Sequence, residues 1–290
     1  MKSPPVLLGT TLPDVEVWSR RVAVALGQNP SVFTGPGTNV YLLGTGPRRI
    51  LLDPGQGVES FLPVLEKAME KCGCEGFQEI VLTHGHPDHV GGVQQILARF
   101  GPLRVSKMPW PGVDERAGFD PTPLRDGDRI EGEGITLRAL HTPGHAPDHL
   151  CFVIEEERAL ISGDNVLGVG TTVIPTDSGN LADYMASLER MLAVEPRRIY
   201  PAHGPCVEDG AGRIEEYIAH RREREQQIIE ALRGRSLRPI EIVRQVYAAY
   251  PESLHAAATQ SVTQHLQKLE RERRACREDG EPTRVRWRLS

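Results

Sequence analysis

Short apolar runs bounded by turn residues recur through the first two thirds of the chain, and they predict buried β-strands. The six clearest runs are residues 49–53 (RILLD), 79–83 (EIVLT), 135–140 (ITLRAL), 150–154 (LCFVI), 159–162 (ALIS) and 198–201 (RIYP). Between some of them, apolar positions at helical spacing predict helices over residues 58–71, 93–100 and 181–192. Strands interleaved with helices are typical of a layered α/β domain.

Residues 108–123 (MPWPGVDERAGFDPTP) follow neither period and are rich in Pro, Gly and Asp, so the pattern predicts a loop. Trp110 lies in this segment. We expect its indole ring either to cap a pocket or to pack on the loop itself.

The last third of the chain has a different character. A long polar helix is predicted over residues 212–233, followed by Gly234. Pro239 then opens a helix, Pro251 interrupts it, and another begins near Leu254. The final residues alternate between an apolar face and a basic face, made by Val285, Trp287 and Leu289 on one side and by Arg284, Arg286 and Arg288 on the other. This pattern predicts two units, a larger domain over residues 1–233 and a small winged-helix-like module over residues 234–290.

Charge supports a separate C-terminal module. Residues 213–290 hold 16 Arg and Lys against 12 Asp and Glu, a balance of +4, so the other residues carry −9 within a net charge of −5. The overall balance argues against a generally basic nucleic-acid binder. The five cysteines are scattered and odd in number, which predicts reduced packing residues rather than disulfides, and a zinc-ligand role for Cys72 and Cys74 is an unfavoured alternative.

The N-terminal segment MKSPPVLLGTTLPD is too short and too interrupted by proline for a signal peptide, and no run approaches about 20 apolar residues. We therefore expect a soluble protein with no membrane contact. Its expected compartment is the cytoplasm, or the mitochondrial matrix in a eukaryote.

The run THGHPDHVGG follows the predicted strand EIVLT and concentrates the candidate chemistry of the chain, namely His84, His86, Asp88 and His89. Imidazole nitrogens and carboxylate oxygens suit zinc and neighbouring metals. Alternation lets His84 and His86 face one ion while Asp88 and His89 face another. The competing interpretation is that these four polar residues cap a helix or are solvated.

Three later residues favour the metal interpretation. His145 in HTPGH, Asp164 in ALISGD and His203 in PAHG each follow a predicted strand. Loops at the carboxyl ends of strands build the sites of α/β folds. The whole set predicts a centre for two zinc ions, with manganese or iron as alternatives.

The ordered motifs THGHPDH, HTPGH, SGD and PAHG resemble those of the metallo-β-lactamase superfamily. The resemblance implies an αββα sandwich of two mixed sheets with metals at one edge. It also implies that the ligands are the catalytic residues, Asp88 and Asp164 among them. The implied sets are His84, His86 and His145 for one metal and Asp88, His89 and His203 for the other, with Asp164 bridging the two.

Departures from the superfamily patterns distinguish its branches. Class B1 β-lactamases have a cysteine where this chain has Asp164, and flavodiiron relatives have glutamate at the position of His86. Glyoxalase II shares the ligands but ends differently. Over nearly the whole chain the sequence is most similar to β-lactamase-like proteins typified by the mammalian mitochondrial endoribonuclease, a group that fungal polyketide thioesterases also resemble.

Further residues are candidates for supporting roles. Asp53, in LLDPG, is expected to orient a ligand histidine, with turn capping as the alternative. His149 is expected either to move a proton or, as the favoured interpretation, to pack on the following strand. His220, Arg221 and Arg224 on the long helix are candidates for binding an anionic substrate, although a solvated face is the favoured interpretation.

Three functions fit these features. The first is a dinuclear hydrolase that uses a metal-bridging hydroxide, formed by lowering the pKa of water towards about 7, to cut single-stranded RNA drawn along the basic tail. The alternative is an esterase or thioesterase acting on acyl-CoA or acyl-carrier substrates, with residues 165–180 shaping the acyl pocket. The third is a non-enzymatic winged-helix binding protein, which seven ligands disfavour because structural zinc sites are closed four-ligand sites.

Overall fold

The first sheet of the protein has seven strands. The computed structural model describes residues 11–249 and 251–290, and the first ten residues of the N-terminal segment lie outside this range. The strands lie in chain order: β1 (Val15–Ser19), β2 (Val22–Leu26), β3 (Asn39–Leu43), β4 (Arg48–Leu52), β5 (Gly76–Val81), β6 (Arg104–Lys107) and β7 (Thr122–Pro123). Strands β1 to β4 pair antiparallel, and β4 to β7 pair parallel. The parallel half directs the carboxyl ends of β4, β5 and β6 to one edge.

The second sheet has five strands in the order β12-β11-β10-β9-β8. They are β8 (Arg129–Gly132), β9 (Ile135–His141), β10 (Leu150–Ile154), β11 (Ala159–Gly163) and β12 (Arg198–Pro201). Only β11 and β12 pair parallel. Both sheets are therefore mixed.

The alternation of side chains along each strand separates three apolar layers. Val22 and Val24 of β2 face the second sheet and pack in a shared core with Phe152 of β10. Ala23 and Ala25, on the opposite face of β2, pack on helices. The helices on this outer face are α1 (Phe61–Cys72), α2 (Pro87–Val90) and α3 (Val93–Phe100), with a single helical turn, α4 (Asp114–Ala117), in the loop after β6.

The outer face of the second sheet is covered by α5 (Leu181–Ala193) and α6 (Gly210–Leu232). The side chain of Asn180 caps α5 by accepting from the backbone of residues 182 and 183, and Asp209 caps α6 by accepting from Gly212. Two helical layers thus enclose two sheets. The αββα sandwich expected from the sequence is confirmed.

The C-terminal module consists of α7 (Pro239–Val246), a 3₁₀ turn (Glu252–Leu254), α8 (His255–Arg271), β13 (Ala275–Arg277) and β14 (Trp287–Leu289), which pairs antiparallel with β13. Its core includes the fully buried Trp287 and also Ile228 and Leu232 from the end of α6. Helix α6 therefore contributes to both cores, and a boundary at residue 233 stays a prediction.

The six predicted strands all form, each within a few residues of its expected ends. Residues 108–123 differ from the predicted loop, because Asp114–Ala117 make one helical turn and Thr122–Pro123 pair at the edge of the first sheet. Strands β1 to β3 and β6 to β8 were not predicted. Within the described residues, none of the helices combines the length and the apolar character that crossing a bilayer requires.

Candidate metal centre

The candidate ligands lie on four segments that leave strands at one edge of the sandwich. The first segment leaves β5, and His86 is its N-cap residue at α2, with extended backbone. Pro87 occupies the first helical position, where its fixed φ suits a helix start. This abrupt change from extended chain to helix places His84 and His86 before the turn and Asp88 within it. The other three segments follow β9, β11 and β12 and carry His145, Asp164 and His203 respectively.

The structure brings the seven predicted ligands into two groups of donor atoms, each within 4.8 Å of one another. The groups are His84, His86, His145 and Asp164, and Asp88, His89 and His203. In the first, Nδ1 of His86 lies 3.0 Å from Nε2 of His84 and 3.0 Å from Nε2 of His145. In the second, Nε2 of His203 lies 3.2 Å from a carboxylate oxygen of Asp88. Two His/Asp clusters of this kind are consistent with a dinuclear site.

Asp164 joins the two clusters. Its Oδ2 lies 3.4 Å from Nε2 of His145, on the first cluster. Its Oδ1 lies 3.1 Å from Nε2 of His203 and 3.5 Å from Nε2 of His89, on the second. One carboxylate therefore presents one oxygen to each cluster.

Atoms that bind a metal ion are expected to make few hydrogen bonds with the rest of the protein, and two buried atoms of the clusters fit this expectation. Nε2 of His89 and Oδ1 of Asp164 are both buried and make no hydrogen bond of acceptable geometry within the described residues, although they lie 3.5 Å from each other and Oδ1 lies 3.1 Å from Nε2 of His203. Burying polar atoms without partners costs about 1–3 kcal/mol each. A cation between the clusters would satisfy both atoms, so the residues present fit a metal.

Four of the ligand imidazoles are held by their outer nitrogen. Nδ1 of His84 donates to Thr83 Oγ1 at 3.0 Å, and Nδ1 of His145 donates to the Val173 carbonyl at 2.9 Å. Nδ1 of His203 donates to the Gly37 carbonyl at 3.3 Å. In each case the contact directs Nε2 into the cluster, as ligand histidines require.

Asp53 holds the fourth imidazole and the strand end together. Its carboxylate accepts from Nδ1 of His89 at 2.8 Å and from the backbone and hydroxyl of Thr83 at 2.8 and 2.7 Å. Asp53 has a φ of 51°, a left-handed conformation that aspartate tolerates better than most residues. Asp53 thus contacts both a clustered histidine and Thr83, and the orienting role expected from the sequence stays a prediction.

His149 lies directly behind the cluster and is fully buried. Its Nε2 accepts from the backbone N–H of Asp164 at 3.1 Å, and its Nδ1 lies 3.0 Å from Thr142 Oγ1. Its ring centroid is 5.0 Å from that of His84. Both nitrogens are therefore engaged, and the choice between moving a proton and packing on β10 stays a prediction.

The two clusters differ in protonation. In the first cluster, burial lowers the pKa of His84 well below the ordinary histidine value, and the neighbouring histidines lower it further. Burial also lowers the pKa of His145 to about 4. These imidazoles are neutral at pH 7, which is the form that binds metals.

The second cluster holds protons and negative charge. Burial opposes the charged forms, but the carboxylates outweigh it, so that Asp88 and Asp53 raise the pKa of His89 and Asp164 raises that of His203 to about 9. In return, His89 and His203 lower the pKa of Asp88 despite its burial. The carboxylates are ionised and ready to accept a cation in place of these protons.

The rim of the site carries Trp110 and Asp177. The Trp110 ring lies 6.3 Å from the ring of His86, so this residue lines the site and does not pack only on its own loop. The Trp110 loop is fixed by Lys107, a fully buried ammonium group that lies 2.7 Å from Asp114 and 2.6 Å from Asp148. The backbone N–H of Trp110 in turn donates to Asp114.

The three predicted substrate-binding residues, His220, Arg221 and Arg224, all lie on α6. Arg221 and Arg224 are buried; the first donates to the Thr172 carbonyl at 2.6 Å and the second to the Val246 carbonyl at 3.1 Å. His220 is half-buried on the same helix. The observed contacts of the two arginines are with the protein itself, and substrate binding by these three residues stays a prediction.

Residues that the sequence reasoning missed include Thr83, Lys107, Thr172 and Gln264. Thr83 could have been found, because it opens the motif that carries the ligands. Lys107 offered no such signal, since a lysine at the end of a strand ordinarily lies in solvent.

Two family models match the chain. The model described as the metallo-beta-lactamase superfamily matches residues 33–203, which include all seven clustered residues, and the chain belongs to this superfamily. The model described as the beta-lactamase associated winged helix domain matches residues 239–287. With its His/Asp metal-binding site, the protein is a metal-dependent hydrolase of that superfamily.

Relatives define a narrower group. The chain is 39% identical over 273 residues to the beta-lactamase-like protein 2 homolog of Drosophila melanogaster, covering 90% of this chain and 91% of that one. It is 40% identical over 221 residues to an atrochrysone carboxyl ACP thioesterase from Cryptosporiopsis sp., covering 76% and 66%. The chain therefore falls within the group of β-lactamase-like protein 2 and the fungal lactamase-like proteins, as the sequence motifs indicated.

Solved structures agree with this assignment. A beta-lactamase domain protein from Burkholderia ambifaria matches with a TM-score of 0.82 at 21% identity, over 98% of this chain and 97% of the other, and so shares the fold. The protein TTHA1623 in a di-iron-bound form matches with a TM-score of 0.51 at 30% identity, over 63% and 96%. That relative holds two iron ions, whereas zinc was expected here from ligand types.

Proposed function

We propose that this protein is a dinuclear metal-dependent thioesterase that hydrolyses acyl thioesters of a carrier protein or of coenzyme A. The observation that carries the choice of substrate is the 40% identity to a fungal acyl-carrier-protein thioesterase. The sequence alone placed an endoribonuclease slightly ahead. The relatives described above lend RNA no support and favour the thioesterase alternative.

In this proposal the two clusters hold two metal ions. His84, His86 and His145 would hold one and Asp88, His89 and His203 would hold the other, and Asp164, which presents one oxygen to each cluster, would contribute to both. When bound, such ions lower the pKa of water to supply a nucleophile near pH 7 and polarise the scissile carbonyl. Zinc, manganese and iron all suit this mixture of nitrogen and oxygen donors.

The protein itself holds the ligand imidazoles in place. Asp53 and the Val173 carbonyl fix His89 and His145 with their Nε2 atoms inward. His149, the titratable side chain packed behind the cluster, is engaged at both nitrogens and has no free proton to deliver. A thiolate suits a site without a nearby proton donor as the leaving group. An ordinary thiol has a pKa of about 8.5, so the thiolate can depart without protonation by a dedicated acid.

Two of the three arginines on the basic face predicted at the C-terminus contact other groups of the protein, while Arg288 is exposed. Arg284 pairs with Glu281 at 2.9 Å, and Arg286 lies 3.7 Å from Glu241 and donates to a backbone carbonyl. Trp287 is fully buried and cannot stack on a base. These contacts favour a structural role for the module over a nucleic-acid groove.

The test measures thiol release from a panel of acyl-CoA and acyl-carrier thioesters by the metal-loaded protein, with fluorescent single-stranded RNA as a parallel substrate. We expect thiol release that Asp88→Ala abolishes and that His255→Gln, at the start of α8, leaves unchanged. RNA cleavage that depends on Asp88, without thiol release, would establish the nuclease instead. Absence of both activities would reject the proposed substrate class.

A further inference from the structure

The segment from Thr172 to Leu181 leaves the Asp164 loop and passes along the metal centre before α5 begins. Near its start, the Val173 carbonyl and Thr172 Oγ1 lie 2.9 and 3.3 Å from Nδ1 of His145. Near its end, the Asn180 N–H donates to the carbonyl of Gly144, the residue before His145, at 2.8 Å. The orientation of His145 therefore depends on where this segment stands.

The outer side of the same segment is held by the C-terminal module. Gln264 lies on α8 and is 3% exposed. Its amide nitrogen donates to the carbonyls of Pro175 and Gly179 at 2.6 and 3.1 Å, and its amide oxygen accepts from the Leu181 N–H at 3.2 Å. All three of these hydrogen bonds of Gln264, whose partners lie 83 to 89 positions away in sequence, fall on the one segment.

The hydrogen bonds of Gln264 hold the segment on both sides of its tip. Residues 176–178 lie between the two carbonyls that Gln264 binds, and within them Asp177 is exposed.

A second contact reinforces the segment at its start. Arg221 of α6 donates to the Thr172 carbonyl at 2.6 Å, and its guanidinium lies 5.3 Å from the centre of the Tyr184 ring on α5. Helix α6 joins the core of the sandwich to that of the C-terminal module. The segment is therefore fixed at both ends by side chains of helices that the C-terminal module packs against or contains.

We propose that Gln264 is a positioning residue through which the winged-helix module fixes His145 and so sets the metal affinity of the first cluster. The module, on this proposal, is a brace for the metal centre. The proposal rests on the ligand role proposed for His145 and holds for any substrate.

The test compares Gln264→Leu with Thr263→Val. Leucine keeps the approximate size of glutamine but removes both donor and acceptor. Thr263 is the fully buried neighbour on α8, and its hydroxyl bonds only to the Thr259 carbonyl within the same helix, so its loss leaves the segment untouched. Gln264→Glu, which keeps the length and the acceptor for Leu181, replaces Gln264→Leu if that variant does not fold.

Metal binding is measured with Zn²⁺ alone by chelator competition, together with the absorption spectrum of the Co²⁺-substituted protein. Loss of a contact that orients a ligand lowers metal affinity by about 10- to 100-fold. We expect a loss of this size at one of two sites in Gln264→Leu, with an altered Co²⁺ spectrum and faster hydrogen exchange over residues 172–184 of the metal-free protein. Thr263→Val should match the original protein in all three measurements.

Unchanged affinity and spectrum in Gln264→Leu would overturn the proposal. An equal loss in both variants would also overturn it, because the effect would then follow general packing of α8. These measurements use no acyl substrate. Their failure leaves the proposed thioesterase activity standing, and failure of thiol release leaves the brace standing.

Discussion

Replacing Lys107 by methionine should unfold the protein at a markedly lower temperature. Methionine is close to lysine in length and flexibility but carries no charge. In the native chain the Lys107 ammonium is fully buried, lies 2.7 and 2.6 Å from Asp114 and Asp148, and donates to the Met108 carbonyl. The substitution leaves two buried carboxylates without a counter-charge.

Removing one partner of a buried ion pair costs about 3–5 kcal/mol. For a chain of this size we expect the midpoint of thermal unfolding to fall by roughly 6–15 °C. The loss should depend on pH. Burial raises the pKa of Asp148, and the charge of Lys107 partly offsets this rise. Removing that charge therefore raises the pKa of Asp148 further. A carboxyl group whose pKa is raised in the folded state destabilises that state as pH rises, because the unfolded chain loses its proton first. The stability deficit of the variant therefore grows as pH rises above the ordinary carboxyl range and shrinks below it.

Thermal unfolding followed by circular dichroism at pH 4 and pH 7.5 measures both effects. Arg99→Met is the matched control, because Arg99 pairs with Glu66 while both side chains are about half exposed. Exposed pairs contribute about 0–1 kcal/mol. A Lys107→Met deficit no larger than that of Arg99→Met, or equal at the two pH values, would refute the reasoning.

Three further outcomes follow from the site. Asp53→Asn should lower Zn²⁺ affinity by about 10- to 100-fold in chelator competition, because Asp53 fixes His89; native affinity would contradict this. Gly144→Ala should destabilise the fold by about 1–3 kcal/mol in denaturant titration and weaken metal binding, because φ of Gly144 is +129° and an added Cβ would clash with the backbone of Tyr184 on α5. Gly76→Ala is the control and should be neutral, because a Cβ at that position would meet open space. The metal-free protein should lose stability as pH rises from 6.5 through about 9, where folded His203 loses its proton, and a flat profile would speak against it.

Much of the site was predictable because its signals are local. Four of the seven clustered residues lie within six positions, and each of the others directly follows a strand whose apolar run is visible in the sequence. Strand ends at one sheet edge converge, so the residue types and their places were sufficient. The apolar runs of the central strands predicted a layered α/β domain for the same reason, and the αββα sandwich followed from the resemblance of the ordered motifs to the metallo-β-lactamase superfamily.

The side chains that hold the segment from Thr172 to Leu181 were not predictable, because their roles depend on partners distant in the sequence. Gln264 bonds residues 83 to 89 positions away, and Arg221 bonds a carbonyl 49 positions away. In the sequence, Arg221 belongs to a run of charges that reads as a solvated helix face. Only the packing of α6 and α8 shows that these side chains are buried and directed at one segment.

The contact between Asn39 and the end of β12 places a condition on how the protein is made. Asn39 donates to the carbonyls of Pro201 and Gly204, and Thr38 forms a bridge with His203. A nascent chain emerges from its N-terminus, so the start of β3 cannot make these contacts until residues more than 160 positions later have been synthesised. A ribosome-bound chain that ends before His203 therefore holds only part of the second cluster.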